Sequence, residues 1–97
     1  MGAQKSEDPE SSVSPREFEL AVLDREDVRI VVRAPHDKKL KPYHFQRKAA
    51  DTTSVTEWLE ARVLPLVDGY PVEVISGGGV APHGRTRMGT LRNSYQQ

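Results

Sequence analysis

Apolar and polar residues alternate twice in the first third of the chain. Phe18, Leu20 and Val22 are interleaved with Glu19 and Ala21, and Val28, Ile30 and Val32 with Arg29, Val31 and Arg33. A period of two marks strands with one buried face. Asp24-Arg25-Glu26-Asp27 between them is turn-like, so the pattern predicts a β-hairpin. Its register follows from burial: Val22 faces Val28, Leu20 faces Ile30 and Phe18 faces Val32, because a slip of one residue turns every side chain over. The period then changes. Ser54-Val55-Thr56-Glu57 has the form of a capping box, and Val55, Trp58, Leu59, Arg62, Val63 and Leu66 follow at helical spacing, with Pro65 expected to end or kink the helix near Leu64. Trp58 falls on the apolar face and is expected in the core. Asp68-Gly69-Tyr70-Pro71 reads as a turn, Val72–Ile75 as a third strand, and Ser76-Gly77-Gly78-Gly79 ends it. In the last stretch Met88, Leu91 and Tyr95 allow a short helical turn, while Thr86–Leu91 suits an edge strand equally.

The order strand, strand, helix, strand predicts a small α+β domain with room for a short fourth strand. The helix crosses over right-handedly to a parallel third strand and covers one face of the sheet. The expected core is Phe18, Leu20, Val22, Val28, Ile30, Val32, Trp58, Leu59, Val63, Leu66, Val72 and Val74. Residues 1–15 have little apolar content beyond Val13 and are expected to be a disordered tail, which leaves residues 16–97 as one domain. Pro35–Thr53 has no clear period and contains Pro35 and Pro42. So long a connection is either a functional loop or the host of a short strand around Tyr43-His44-Phe45.

Asp51-Thr52-Thr53-Ser54-Val55 before the helix, and Val74-Ile75-Ser76-Gly77 followed by Gly84-Arg85-Thr86, resemble the text of ubiquitin-like β-grasp domains over roughly residues 18–95. The resemblance implies a β-grasp fold and a protein-binding role. Conjugating members end in a diglycine, whereas this chain ends Ser94-Tyr95-Gln96-Gln97, so the implied module is a non-conjugated one.

Composition narrows the chemistry. The chain has 97 residues and no cysteine, which removes disulfides, thiolate metal sites and cysteine nucleophiles. His36, His44 and His83 lack the close spacing of a zinc site, and no metal or cofactor is expected. Ser76-Gly77-Gly78-Gly79 has neither the lysine nor the following helix of a phosphate-cradling loop and reads as a turn. No apolar run is long enough to span a membrane and no secretory signal opens the chain, so the expected location is the cytoplasm. No catalytic constellation is placed, and an enzyme is not expected.

Charge is balanced, 14 basic against 14 acidic residues, but it is sorted along the chain. Residues 1–27 hold three basic and eight acidic side chains, and residues 28–50 hold seven basic against Asp37 alone. Blocks of one sign bear on partners more than the net figure does. Lys38, Lys39, Lys41, Arg47 and Lys48 alternate with Tyr43 and Phe45, and Arg85, Arg87 and Arg92 follow near the C-terminus. These ten residues are the candidate binding site. Cations with interleaved aromatics suit an acidic protein surface or phosphates and unpaired bases. Zero net charge and the acidic N-terminal block favour the protein partner. The reading is a small adaptor-like protein-interaction module, with nucleic-acid binding as the alternative. A further candidate contact surface is the outer sheet face, where Val31 stands beside Arg29 and Arg33.

Overall fold

The computed structural model describes residues 12–96. In chain order these form helix α1 (Pro15–Glu26), strand β1 (Arg29–Val32), helix α2 (Val55–Trp58) running on as a π-helical segment (Leu59–Val63) and a 3-10 turn (Leu64–Leu66), strand β2 (Val72–Ile75) and helix α3 (Met88–Ser94). The fold is α+β with a two-stranded antiparallel sheet. No helix among the described residues is long and apolar enough to cross a membrane.

The first half of the expected hairpin is a helix. Ser14 and Glu17 form a capping box: the Glu17 N–H donates to the serine hydroxyl at 3.1 Å, and the Ser14 N–H donates to the Glu17 carboxylate at 2.8 Å. Pro15 occupies the first turn, where its fixed φ fits and its missing N–H is no loss. The buried stripe is Pro15, Phe18, Val22 and Glu26, at i, i+3, i+7 and i+11. Leu20, expected in the core, lies off that stripe and is 48% exposed. The helix stops at Asp27, which adopts the left-handed conformation (φ 59°) and donates its N–H to the Leu23 carbonyl at 3.0 Å. Phe18–Val22 therefore has no strand register.

The second alternating segment is a strand, but with a different partner. β1 pairs with β2 as Arg29↔Ile75, Ile30↔Val74, Val31↔Glu73 and Val32↔Val72, antiparallel. The expected parallel crossover is overturned with the hairpin. Ile30, Val32 and Val74 face the core, and Arg29, Val31 and Glu73 face outward.

Of the expected tail, residues 1–11 lie outside the described residues. Its last members belong to the fold: Val13 and Leu40 exchange two backbone hydrogen bonds, at 2.9 and 2.8 Å, Ser14 caps α1, and Pro15 is buried. The same pairing organises the long connection after β1, which holds a single bridging residue at Leu40 and no strand at Tyr43–Phe45.

The second helix begins where the sequence places it, at a capping box of Ser54 and Glu57. Trp58 (1% exposed) and Val63 (fully buried) share its inner face. Five residues apart, they would diverge on an α-helix, and the i→i+5 turn of the π segment realigns them. Where Pro65 is expected to end or kink the helix, the π segment stops at Val63 and the chain tightens into a 3-10 turn over Leu64–Leu66. Ser54 and Val55 of α2 start beside the C-terminal region: the Val55 N–H bonds the Thr86 carbonyl at 2.8 Å. There the helical alternative is the one formed, with Met88 and Leu91 of α3 buried. Ser54 starts a helix and Val74-Ile75 end a strand as their local patterns predict, whereas the first element over residues 18–26 is α1.

Candidate functional site

The polar centre of the molecule was not anticipated from the sequence. Glu26, the last buried residue of α1, is completely enclosed. One carboxylate oxygen accepts from the Ala49 N–H at 2.8 Å and from Arg92 Nη2 at 2.9 Å, and the other accepts from Arg62 Nη1 at 2.8 Å and from the Tyr43 hydroxyl. Four donors saturate the carboxylate. Trp58 Nε1 donates to the Tyr43 oxygen at 3.0 Å. Arg92 also bonds the Glu26 and Ala49 carbonyls, each at 2.8 Å, and Asp51 at 2.7 Å. Two guanidiniums and two carboxylates thus close a neutral network that ties α1, the long connection, α2 and α3 together. Burial, and then the neighbouring Glu26 carboxylate, push the Tyr43 phenol well above its ordinary range. The Glu26 carboxylate is fully engaged, and the network reaches solvent chiefly through Arg62 and Asp51 at its margin.

This network accounts for two of the ten candidate binding residues. Tyr43 and Arg92 are core side chains and do not face a partner. Others are committed to folded-state contacts. Lys38 pairs with Asp68 at 2.9 Å and Lys48 pairs with Asp27; hydrogen bonding to these lysines holds both aspartates below their usual range. Asp68 and Asp27 thus neutralise two of the five basic residues of the loop. Phe45 packs half-buried against the core under the Arg62 guanidinium, 4.5 Å away. The Arg47 carbonyl accepts from Arg62, while its side chain is exposed. The remaining cations fall at two places. Lys39 and Lys41 lie beside Pro65 and Leu66, at the far end of the helical segment. Arg87 bonds the Thr52 carbonyl at 2.7 Å and, with Arg85, adjoins its start. Those ends are separated by about 15 Å at 1.5 Å per residue, so the ten residues do not converge on one surface.

What the structure does assemble lies between α1 and β1. The outward flank of α1, with Arg16, Glu19, Leu20 and Leu23, faces Arg29, Ile30 and Val31 of β1 and Ile75 of β2 across an open groove of about 290 Å³. This is the lower end of the range of ligand pockets, suited to a few side chains. Leu20 and Leu23 are 48% and 36% exposed, two of the large apolar side chains left in water. Among the described residues, no carboxylate lies within ion-pair distance of Arg16 or Arg29.

The edge of β1 also borders this groove. The Arg33 N–H bonds the Pro71 carbonyl at 2.8 Å, which continues the ladder as a hydrogen-bonded pair. By alternation Val31–Glu73 and Arg29–Ile75 belong to the same set, and Ile30 and Val32 turn their peptide groups away from β2. Val32 bears this out: its N–H donates to the Glu19 carboxylate at 2.9 Å, on the α1 side. For the Ile30 N–H no such partner occurs among the described residues. At the other end of the strand the Tyr95 hydroxyl sits between the last pair, accepting from the Arg29 N–H at 3.1 Å and donating to the Ile75 carbonyl. The expected outer face of Arg29, Val31 and Arg33 is therefore real, although it arises from a different strand pairing. Leu20 and Leu23, which complete the groove, were assigned to the core or to no role. Their spacing of three on a helix is the signal that would have found them.

Comparison with family models, with curated proteins and with solved structures gives no match.

Proposed function

We propose that this chain is a protein-interaction module whose contact surface is the groove between α1 and β1, and that its partner is an acidic segment carrying apolar side chains. The observation that supports this reading most directly is the combination of Leu20 and Leu23, exposed side by side, with Arg16 and Arg29 at the rim. Leucines left in water on a helix flank gain roughly 1 kcal/mol each on being covered, given their partial exposure. Two cations against Glu19, whose carboxylate is already bonded to Val32, leave the rim net positive and select an acidic partner. A pairing within the sheet supports this reading. Across β1, Glu73 stands opposite Val31 and pairs with Arg33 at 2.8 Å, and hydrogen bonding to that arginine holds the glutamate below its usual range. Nucleic acid is the weaker reading, because Lys39 and Lys41 are far from Arg85 and Arg87 along the helical segment.

The test is fluorescence anisotropy of a labelled peptide of alternating Val and Glu, titrated with the full chain. Leu20→Asp and Arg29→Glu are each expected to weaken binding about 10-fold or more, the equivalent of about 1.4 kcal/mol. Lys39→Ala and Lys41→Ala are expected to leave it unchanged. Binding that depends on the lysines and not on Leu20 or Arg29 would overturn the proposal.

A further inference from the structure

The groove reading names a surface. The geometry of β1 points further, to how that surface is used: we infer that the acidic segment binds as a third strand along the free edge of β1, and that Glu19 holds the place of its backbone carbonyl until it arrives. This inference rests on the groove reading above and deepens it.

The first observation is the direction of the peptide groups. Ile30 and Val32 turn theirs away from β2 and toward α1, and an open edge of this kind is the usual template for an added strand. A sheet of two strands is short of the number that normally makes a self-sufficient one. The second observation is Glu19. Its carboxylate accepts from the Val32 N–H at 2.9 Å, the position that an incoming strand would fill with a main-chain carbonyl. The Val32 carbonyl accepts from the Ala34 N–H at 3.0 Å, so both peptide groups of Val32 are covered, whereas one residue pair further along the Ile30 N–H has no partner among the described residues.

The side-chain pattern of the occupant follows from the pleat. Residues of the added strand alternate between the outer face, beside Arg29, Val31 and Arg33, and the inner face, beside Ile30 and Val32. Acidic residues suit the first set and β-branched apolar residues the second. Val72-Glu73-Val74 of β2 already has this pattern on the opposite side of β1. A second copy of β1 does not. Antiparallel pairing about Val31 would set Arg29 of one copy against Arg33 of the other, and like charges directly opposite oppose pairing. The partner is therefore an extended segment of alternating Glu or Asp and Val or Ile on another protein.

The test uses the full chain and a set of peptides of about eight residues, the length of an ordinary strand, with alternating Val and Glu. In each peptide one backbone nitrogen is methylated in turn. Strand addition predicts a two-residue periodicity. Methylation of nitrogens that face β1 weakens binding about 10-fold or more, by removing a hydrogen bond and crowding the edge, while methylation of the alternate nitrogens changes it less than about 2-fold. Amide exchange of Ile30 slows in the complex. Glu19→Ala, which vacates the Val32 N–H, binds the peptide more tightly than Glu19→Gln, which keeps an acceptor there and removes only the charge. If the peptide binds with dependence on Leu20 and Arg29, but every methylated peptide binds alike and Ile30 exchange is unchanged, strand addition is overturned and the groove reading stands. If no peptide binds at all, both fall together.

Discussion

Replacing Glu26 by Gln tests whether the buried network is the structural centre of the fold. The substitution changes almost no volume, so packing is not the perturbation. The carboxylate receives four donors, from Ala49, Arg92, Arg62 and Tyr43. A glutamine offers one acceptor oxygen and one NH2 group, so in either orientation two of the donors meet another donor. Tyr43 can turn to accept, but its oxygen already receives the Trp58 N–H at 3.0 Å. Arg92, whose side chain is 9% exposed, loses its buried counter-charge and keeps only Asp51, which is largely in water. Leaving a buried charge without its partner typically costs about 3–5 kcal/mol. A domain of this size has only about 5–10 kcal/mol in total. Glu26→Gln should therefore lower the urea midpoint by about 3 M or more, at a slope of about 1 kcal/mol per M, followed by far-UV circular dichroism and by Trp58, the single tryptophan. Arg62→Ala should cost less than Arg92→Ala. Arg62 is 23% exposed and supplies one nitrogen to Glu26, whereas Arg92 also holds the Glu26 and Ala49 carbonyls. A Glu26→Gln protein within about 1 kcal/mol of the parent would refute the assignment of the network as a stabilising centre.

Three further outcomes are expected. Ser54→Ala should destabilise by about 1 kcal/mol, measured by the same denaturation, because the Glu57 N–H loses its acceptor at the start of α2. Gly77→Ala should disturb the packing of α3 on the turn after β2: a Cβ there would lie 1.8 Å from the Ser94 carbonyl oxygen, visible as lost dispersion of the Ser94 and Tyr95 amide resonances. Acid should destabilise the fold through the carboxylates of Glu17, Glu57 and Glu73, each held below the usual glutamate range, the first two by bonds from their capping serines and the last by Arg33. Because the folded values lie below the unfolded ones, this stabilisation is complete above about pH 5 and is lost as pH falls below 4; melting temperatures that rise on acidification through that window would contradict it.

The elements that were legible in the sequence are those whose local signals agreed. Ser54 and Glu57 with Val55 and Trp58 specified a helix start, and Val28–Val32 specified a strand. The misread element, α1, carried two signals. Phe18, Leu20 and Val22 fit a period of two, yet Ser14-Pro15-Arg16-Glu17 is a capping box of the same form as Ser54–Glu57, with proline at the favoured position. The helical stripe through Pro15, Phe18 and Val22 was hidden because its last member is Glu26, a carboxylate in a place where an apolar residue is normal. Arg92 was misassigned for the same reason. Charged residues are rarely buried without partners, and the partners come from three segments distant in sequence, which no local pattern reports. The groove inherited this error, since Leu20 and Leu23 become neighbours on one flank only once α1 is a helix. Arg29 and Val31 were legible because strand alternation fixes their face whichever strand lies alongside.

The central claim, that the α1–β1 groove receives an acidic extended segment, is tested most directly by mapping amide chemical shifts of the labelled full chain during titration with the alternating Val–Glu peptide. The account predicts saturable shifts at Leu20, Leu23, Arg29, Ile30 and Val31, with Lys39, Lys41, Arg85 and Arg87 unmoved. Shifts concentrated at those lysines and arginines, with Leu20 and Ile30 unchanged, would contradict it.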